Sequence, residues 1–315
     1  MLLVVAESSG SSPGRQGYKM AVASDGELCG SIGGGVMEVN LVEESRRLLR
    51  DAGTRGGVDT GTQLSEQVHQ KSSAHASGMI CSGKQTVIFK LLTPTDGAMI
   101  DSILDALNVR RRGSLTITPD EFSIRLPEGG TQNAPESGTQ SDFAFEKLSE
   151  THFTYTERLG FKNDLYIIGG GHCALALSEL ISKMDFHISL FDDRPELNTI
   201  EKNRFAHQVA IVDSYEDIAA HVPPGSNSYV VVMTLGYRSD AVVIRSILDH
   251  EFKYFGVLGS NAKMASMFKE FIKEGIPAEK LDRIRTPVGI EINSRTPEEI
   301  AVSIAAEIIS VKNSD

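Results

Sequence analysis

A few short segments of this 315-residue chain carry residues whose types and spacing can do chemistry. One is Gly169-Gly170-Gly171-His172-Cys173-Ala174, which reads GxGxxA between an apolar run at 165–168 and a helical pattern. In that setting Gly169 permits a tight turn and Gly171 lets the backbone approach a phosphate. Ala174 keeps helix and strand close, and the free N–H groups at the helix start attract an anion. Asp192 and Asp193 end the next apolar run about twenty residues on, where either can accept a ribose hydroxyl. His172 either donates to a phosphate or takes part in chemistry, or it is a capping histidine; Cys173 reads as helix packing. By the carboxyl-end rule for parallel sheets, Thr234-Leu235-Gly236-Tyr237 and Gly259-Ser260-Asn261 face the same crevice. Arg238 and Lys263 then supply positive charge there or remain solvated surface.

Two segments nearer the start are rich in small polar residues. Ser8-Ser9-Gly10-Ser11-Ser12-Pro13-Gly14-Arg15 and Gly30-Ser31-Ile32-Gly33-Gly34-Gly35-Val36-Met37-Glu38 both flank apolar runs. Each offers backbone N–H groups and hydroxyls to an oxyanion, or is a plain connecting loop. Cys81, in Met79-Ile80-Cys81-Ser82-Gly83, is either a soft thiolate ligand or a buried thiol under a loop.

The elements that must position these residues fall into two sets. Residues 2–6 predict a buried strand that starts abruptly, as though a preceding element were missing. The runs 18–23 and 27–32 form a hairpin across Ser24-Asp25-Gly26, since Asp-Gly favours a tight turn. The glycine run feeds a helix with Val36, Val39, Val42, Leu48 and Leu49 largely on one face. Residues 86–92 predict a strong strand, 99–109 a helix, and 114–117, 122–126 and 151–155 further strands. Residues 51–85 show little periodicity and 127–142 read as a polar loop.

After about residue 157 the pattern changes to strands alternating with helices, the signature of a parallel sheet. Strands are expected at 165–168, 187–191, 208–212, 229–234 and 254–258, and helices at about 173–184, 239–250, 261–274 and 297–311. Thr296-Pro297-Glu298-Glu299 opens the last helix as a capping box. The fold class is therefore α/β: an amino-terminal α/β domain over 1–157 and a Rossmann-like, doubly wound parallel-sheet domain over 158–315.

The composition bounds the function. A formal net charge of −11 argues against a general nucleic-acid or anionic-membrane surface. Three scattered cysteines, with no CxxC pair, argue against a zinc site or a disulfide framework and for a reducing compartment. They also fall short of one all-cysteine iron–sulfur cluster. The start lacks a basic signal region, and no apolar run approaches the ~20 residues that span a bilayer, so the cytoplasm is the expected location.

In order, GSSPGRQGYKM, GSIGGGVMEVNL, MICSG, IIGGGHCALALSEL, FDDRPE, GVLGSNAKM and PVGIEINSRTPEEIAVSIAAEII resemble the XdhC/CoxI family over nearly the whole chain. That family comprises accessory proteins for molybdenum hydroxylases such as xanthine dehydrogenase. The resemblance implies a chaperone, not a catalyst, that binds the molybdenum cofactor and assists its sulfuration and insertion. It implies a homodimer, with a xanthine dehydrogenase-like hydroxylase and a cysteine desulfurase as partners. The positions carried over are Ser12, Pro13, Gly17, Met20, Ser31, Gly33, Gly34, Gly35, Glu38, Cys81 and Gly83 in the first half. In the second they are Gly169, Gly171, His172, Asp192, Asp193, Arg194, Gly259, Ser260, Pro287 and Gly289. This chain departs from the family pattern at Val36, Ser82, Leu235-Gly236-Tyr237 and Asn261-Ala262. A different reading is an NAD(P)-dependent oxidoreductase using the GxGxxA crevice, with His172 as proton donor. The molybdenum hydroxylase itself is excluded by the cysteine count and the length.

Overall fold

The computed structural model describes residues 1–54, 62–69, 83–108, 113–126 and 142–314. The chain divides into two compact units, Met1–Gly160 and Phe161–Asp315.

The first unit contains β1 (Leu2–Gly10), β2 (Lys19–Val22), β3 (Leu28–Gly30), α1 (Gly35–Thr54), β4 (Gln63–His69) and β5 (Gly83–Lys90). They are followed by α2 (Gly97–Asn108), β6 (Gly113–Ile117), β7 (Phe122–Arg125), β8 (Phe143–Ser149) and β9 (His152–Leu159). One antiparallel sheet has the order β3-β2-β1-β5-β4 and a second the order β7-β6-β9-β8. Leu3, Val5, Val87 and Phe89 face α1, where Met37, Leu41 and Val42 cover them. Val4, Ala6 and Ile88 on the opposite face pack against Leu115, Ile117, Phe153 and Tyr155 of the second sheet. Coverage of both faces explains why residues 2–6 of β1 read as an unbroken apolar run. The β2–β3 hairpin forms where Asp-Gly predicts it, with the Asp25 carboxylate accepting from the Glu27 N–H at 3.0 Å.

Two strands lie outside the expected set. β4 is an edge strand of polar residues paired to β5 alone. β8 pairs with β9 and turns Phe143 and Phe145 toward the cluster between the sheets. Because β9 runs on to Leu159, the division between units falls after Gly160 and not after residue 157.

The second unit contains β10 (Asn163–Ile168), α3 (His172–Ile181), β11 (Phe186–Asp192), α4 (Asn198–Lys202), β12 (Gln208–Ile211) and β13 (Gly225–Val232). It ends with α5 (Tyr237–Ile247), β14 (Phe252–Val257), α6 (Asn261–Lys273), α7 (Ala278–Leu281) and α8 (Pro297–Lys312). The sheet is parallel throughout, in the order β12-β11-β10-β13-β14. α3 and α8 cover one face, through Leu177, Ile181, Ile304 and Ile308. α5, α6 and α7 cover the other, through Val243, Ile244, Met267, Phe271 and Leu281. All seven residues of β11 are buried, as expected of a strand with helices on both sides. The strand order reverses between β10 and β13, which places a crevice at their carboxyl ends.

Candidate functional site

In the first unit, two loops that the sequence singled out are brought together by a residue that it did not. Gln85 of β5 is completely buried. Its Oε1 accepts from the Ser12 hydroxyl at 2.8 Å and its Nε2 donates to the Ile32 carbonyl at 2.9 Å. The 10–17 loop and the 31–34 loop are thereby joined through one amide. A Cβ on Gly33 would lie 2.4 Å from the Gly14 nitrogen, and one on Gly83 would lie 2.6 Å from the Ser12 nitrogen. Small residues are needed here because backbone meets backbone. Cys81 and Ser82 lie outside the described residues. Met20 belongs to the core, and the ring of Phe143 fills the space that a side chain at Gly17 would need.

The glycine run before α1 holds an oxyanion, and it is the chain's own. Gly33, Gly34 and Gly35 all have positive φ, at 128°, 76° and 71°, a region that side chains disfavour. This backbone turns N–H groups inward onto Glu38. Glu38 Oε2 accepts from the Ser31 hydroxyl at 2.7 Å, the Ile32 N–H at 2.9 Å and the Gly34 N–H at 3.0 Å. Burial pushes this carboxyl up, but the bonds from Ser31, Ile32, Gly34 and Gly33 outweigh it and hold it below its ordinary range. The expectation that this loop offers open N–H groups to an external oxyanion is therefore corrected: Glu38 takes those of Ile32 and Gly34.

In the second unit the GxGxxA turn lies between β10 and α3. Gly169 has φ 108°, and a Cβ there would stand 2.3 Å from the Met233 carbonyl oxygen and 2.8 Å from Thr234 Cα. This turn is thus pressed against the end of β13. Gly170 is used on both sides: its N–H donates to Asp192 Oδ2 at 2.6 Å and its carbonyl accepts from the Thr199 hydroxyl at 2.5 Å. Gly171 caps α3 and has nothing within 4 Å of where its Cβ would be. The first intrahelical bond runs from Leu175 N–H to the Gly171 carbonyl, so the N–H groups of His172, Cys173 and Ala174 precede the helical ladder. An anion has both donors and space at this point.

Asp192 differs from the expectation of an open ribose acceptor. Its side chain is wholly buried and is gripped by Arg194, whose Nε donates to Oδ1 at 2.8 Å and Nη2 to Oδ2 at 2.7 Å. The Arg194 N–H adds a third bond from the same residue, to Oδ1 at 2.9 Å. Burial would raise this carboxyl, but the bonds from Arg194 and Gly170 hold it low. Asp193 is the exposed member of the pair, 3.8 Å from Arg194 Nε.

A second anchored cation stands at the end of β14. Asp240, in the first turn of α5 and 1% exposed, accepts from Lys263 Nζ at 2.5 Å through Oδ2. Its Oδ1 accepts from the Thr234 hydroxyl at 2.5 Å and the Thr234 N–H at 3.2 Å. Lys263 is therefore held in place, not freely solvated. Asp240 was not singled out from the sequence, although an acid in the first turn of a helix that follows a Thr-Leu-Gly loop was a readable signal. Ser260 caps α6, accepting from the Lys263 N–H at 3.3 Å, and Gly259 packs beside the Met264 and Lys263 side chains.

His172 is exposed, near Glu298 at the start of α8, whose carboxyl is held down by a backbone N–H and the Thr296 hydroxyl, with His172 the smallest contribution. Cys173 packs against the apolar cluster under α3, and burial pushes its thiol up, with Glu298 adding to the shift. Gly289 donates its N–H to Glu307 at 2.7 Å, and Pro287 follows a cis bond. Among the described residues no group of three His, Cys, Asp or Glu side chains is placed to hold a metal, and no helix is long and apolar enough to cross a membrane.

Comparison with known proteins adds the family. Residues 165–308 match the XdhC Rossmann domain, and residues 1–60 match the XdhC and CoxI family. The uncharacterized protein YqeB of Escherichia coli K12 is 22% identical over 309 residues, which span 98% of this chain and 43% of that protein. A probable xanthine dehydrogenase subunit from Bacillus subtilis 168 is 23% identical over 321 residues, 99% of this chain and 93% of that protein. The chain thus spans less than half of the first relative and nearly all of the second. A crystal structure described as a xanthine dehydrogenase from Bacillus halodurans has a TM-score of 0.72 at 22% identity, covering 99% of this chain and 90% of that one. At that identity the likeness shows a shared fold. With residues 1–60 and 165–308 matched in order to the family's two parts, the chain belongs to the XdhC and CoxI family.

Proposed function

We propose that this protein is an accessory factor for a xanthine dehydrogenase-type molybdenum hydroxylase. In this reading it binds the molybdenum cofactor as cargo and assists its sulfuration and insertion. The observation that carries the reading is the carboxyl edge of the parallel sheet. In strand order the open start of α3, after β10, lies between Arg194, after β11, and Lys263, after β14, each fixed by a buried aspartate. That edge suits the phosphate of a pterin cofactor, whereas the glycine loop of the first unit, filled by Glu38, does not. Membership of the family and the B. subtilis relative support a client of the xanthine dehydrogenase kind. A cysteine desulfurase as sulfur source, a homodimeric assembly and a cytoplasmic location belong to the same proposal.

The test is purification from a host that makes the cofactor, followed by acid oxidation and fluorescence detection of released pterin. Wild type is expected to carry pterin and to raise the activity of a co-expressed hydroxylase. Gly171→Val is expected to keep its fold and lose pterin, because a side chain there fills the space in front of the helix start. Cys81 is the thiol this reading assigns to the metal, thiolate being a soft ligand. Cys81→Ser is expected to fold normally and lose cofactor retention. Wild-type protein free of pterin, or unchanged retention in both variants, overturns the reading.

A further inference from the structure

The end of β11 carries more recognition detail than a bare phosphate site needs. In dinucleotide-binding sheets an exposed acid at this position accepts the hydroxyls of a ribose, while a nearby arginine accommodates a phosphate on the same sugar. Asp192 stands where that acid belongs, but it is closed. Four donors converge on its two oxygens: Gly170 N–H, Arg194 N–H, Arg194 Nε and Arg194 Nη2. A carboxylate offers about four lone-pair sites, and this side chain has no exposed surface. A ribose diol arriving at Asp192 finds its lone pairs taken, and the exposed Asp193 carboxylate lies beside Arg194.

Arg194 is in the opposite condition. Its side chain is 31% exposed, and the grip on Asp192 engages two of its N–H groups. A guanidinium has about five donors in a rigid plane, so the outward ones are presented in a fixed orientation. Arg194 follows β11 and the glycine turn follows the adjacent β10, strands about 5 Å apart. The Gly170–Asp192 bond ties the two segments directly. A phosphate on Arg194 and a pyrophosphate at the start of α3 can therefore come from one ligand.

We infer that this crevice prefers a nucleotide bearing a phosphate monoester on the ribose next to its pyrophosphate over the same nucleotide with a free diol. Arg194 is the recognition residue, and Asp192 positions it. Asp193, with its carboxylate 3.8 Å from Arg194 Nε, is a built-in competitor for the guanidinium.

Calorimetric titration of the full chain with NADPH and, separately, NADH at fixed ionic strength tests the inference. NADPH is expected to bind at least tenfold more tightly than NADH. Asp193→Asn is expected to tighten NADPH severalfold and not to tighten NADH, since the removed charge opposes only the phosphate. Arg194→Leu frees Asp192 and is expected to reverse the preference. That variant strips the partner from a buried carboxylate; if it does not fold, the wild-type and Asp193→Asn titrations still decide. Equal affinities in wild type, a preference for NADH, or no binding of either at millimolar concentration overturns the inference. Both ligands place a phosphate at the start of α3, so the titration is run on protein freed of pterin; nucleotide preference and pterin retention are read by separate measurements, and each proposal fails on its own.

Discussion

Single side chains in this protein are tuned by what donates to them, and Glu38 shows it most plainly. Its folded-state acidity is strengthened by Ser31 and the glycine-loop N–H groups. A carboxyl depressed on folding contributes stability that is present above its unfolded value, about 4.3, and is lost as pH falls through the folded value. Urea unfolding of wild type and Glu38→Gln is therefore expected to show wild type ahead at pH 7 and pH 5. The gap should close as pH drops below about 4. The glycines of the GxGxxA turn separate in the same way. Gly169→Ala places a Cβ against the Met233 carbonyl in a strained backbone and is expected to lower the melting temperature by several degrees. Gly171→Ala meets nothing but replaces an N-cap glycine, and is expected to cost about 0.5–1 kcal/mol. A melt of both variants checks the contrast.

At the scale of elements, buried polar side chains join loops to strands. Gln85 is the clearest case, a buried amide near the start of β5 that satisfies Ser12 and Ile32 at once. Gln85→Ala leaves both partners unpaired in a buried site, at a cost of about 1–3 kcal/mol. Hydrogen exchange is expected to quicken in both the 10–17 and 31–34 loops together; a change confined to one of them would contradict the joint anchoring. α8 starts where its capping box predicts, with Glu299 N–H donating to Thr296 Oγ1 at 3.3 Å and Thr296 N–H to Glu299 Oε2 at 3.1 Å. Helix starts and parallel strands were legible because their signals are local. β4 and β8 were not, because an edge strand needs only one partner and carries a weak alternation.

For the whole molecule, each unit carries its own pair of hydrophobic clusters. A chain built this way is expected to unfold in two transitions, since cooperativity follows the extent of a continuous core. Differential scanning calorimetry of the full chain, set beside an isolated 161–315 fragment, checks this. The fragment's transition is expected to coincide with one of the two. A single transition with equal calorimetric and van't Hoff enthalpies would mean that the units unfold as one.

The order of elements in the second unit, the glycine turn, the helix cap and the family were all readable from the chain, because periodicity, turn chemistry and capping act over a few residues. Which polar groups remain open to a ligand was decided only by the tertiary structure. Asp192 and Glu38 read alike in the sequence, as acids beside glycine-rich turns. Folding closes Asp192 with Arg194 and Gly170, and fills the first glycine loop with Glu38. Lys263 reads as surface until Asp240, twenty-three residues earlier, is seen to hold it. The physical reason is common to all three. A hydrogen-bonding group is available only after its neighbours in space have been counted, and those neighbours are set by packing, not by sequence distance.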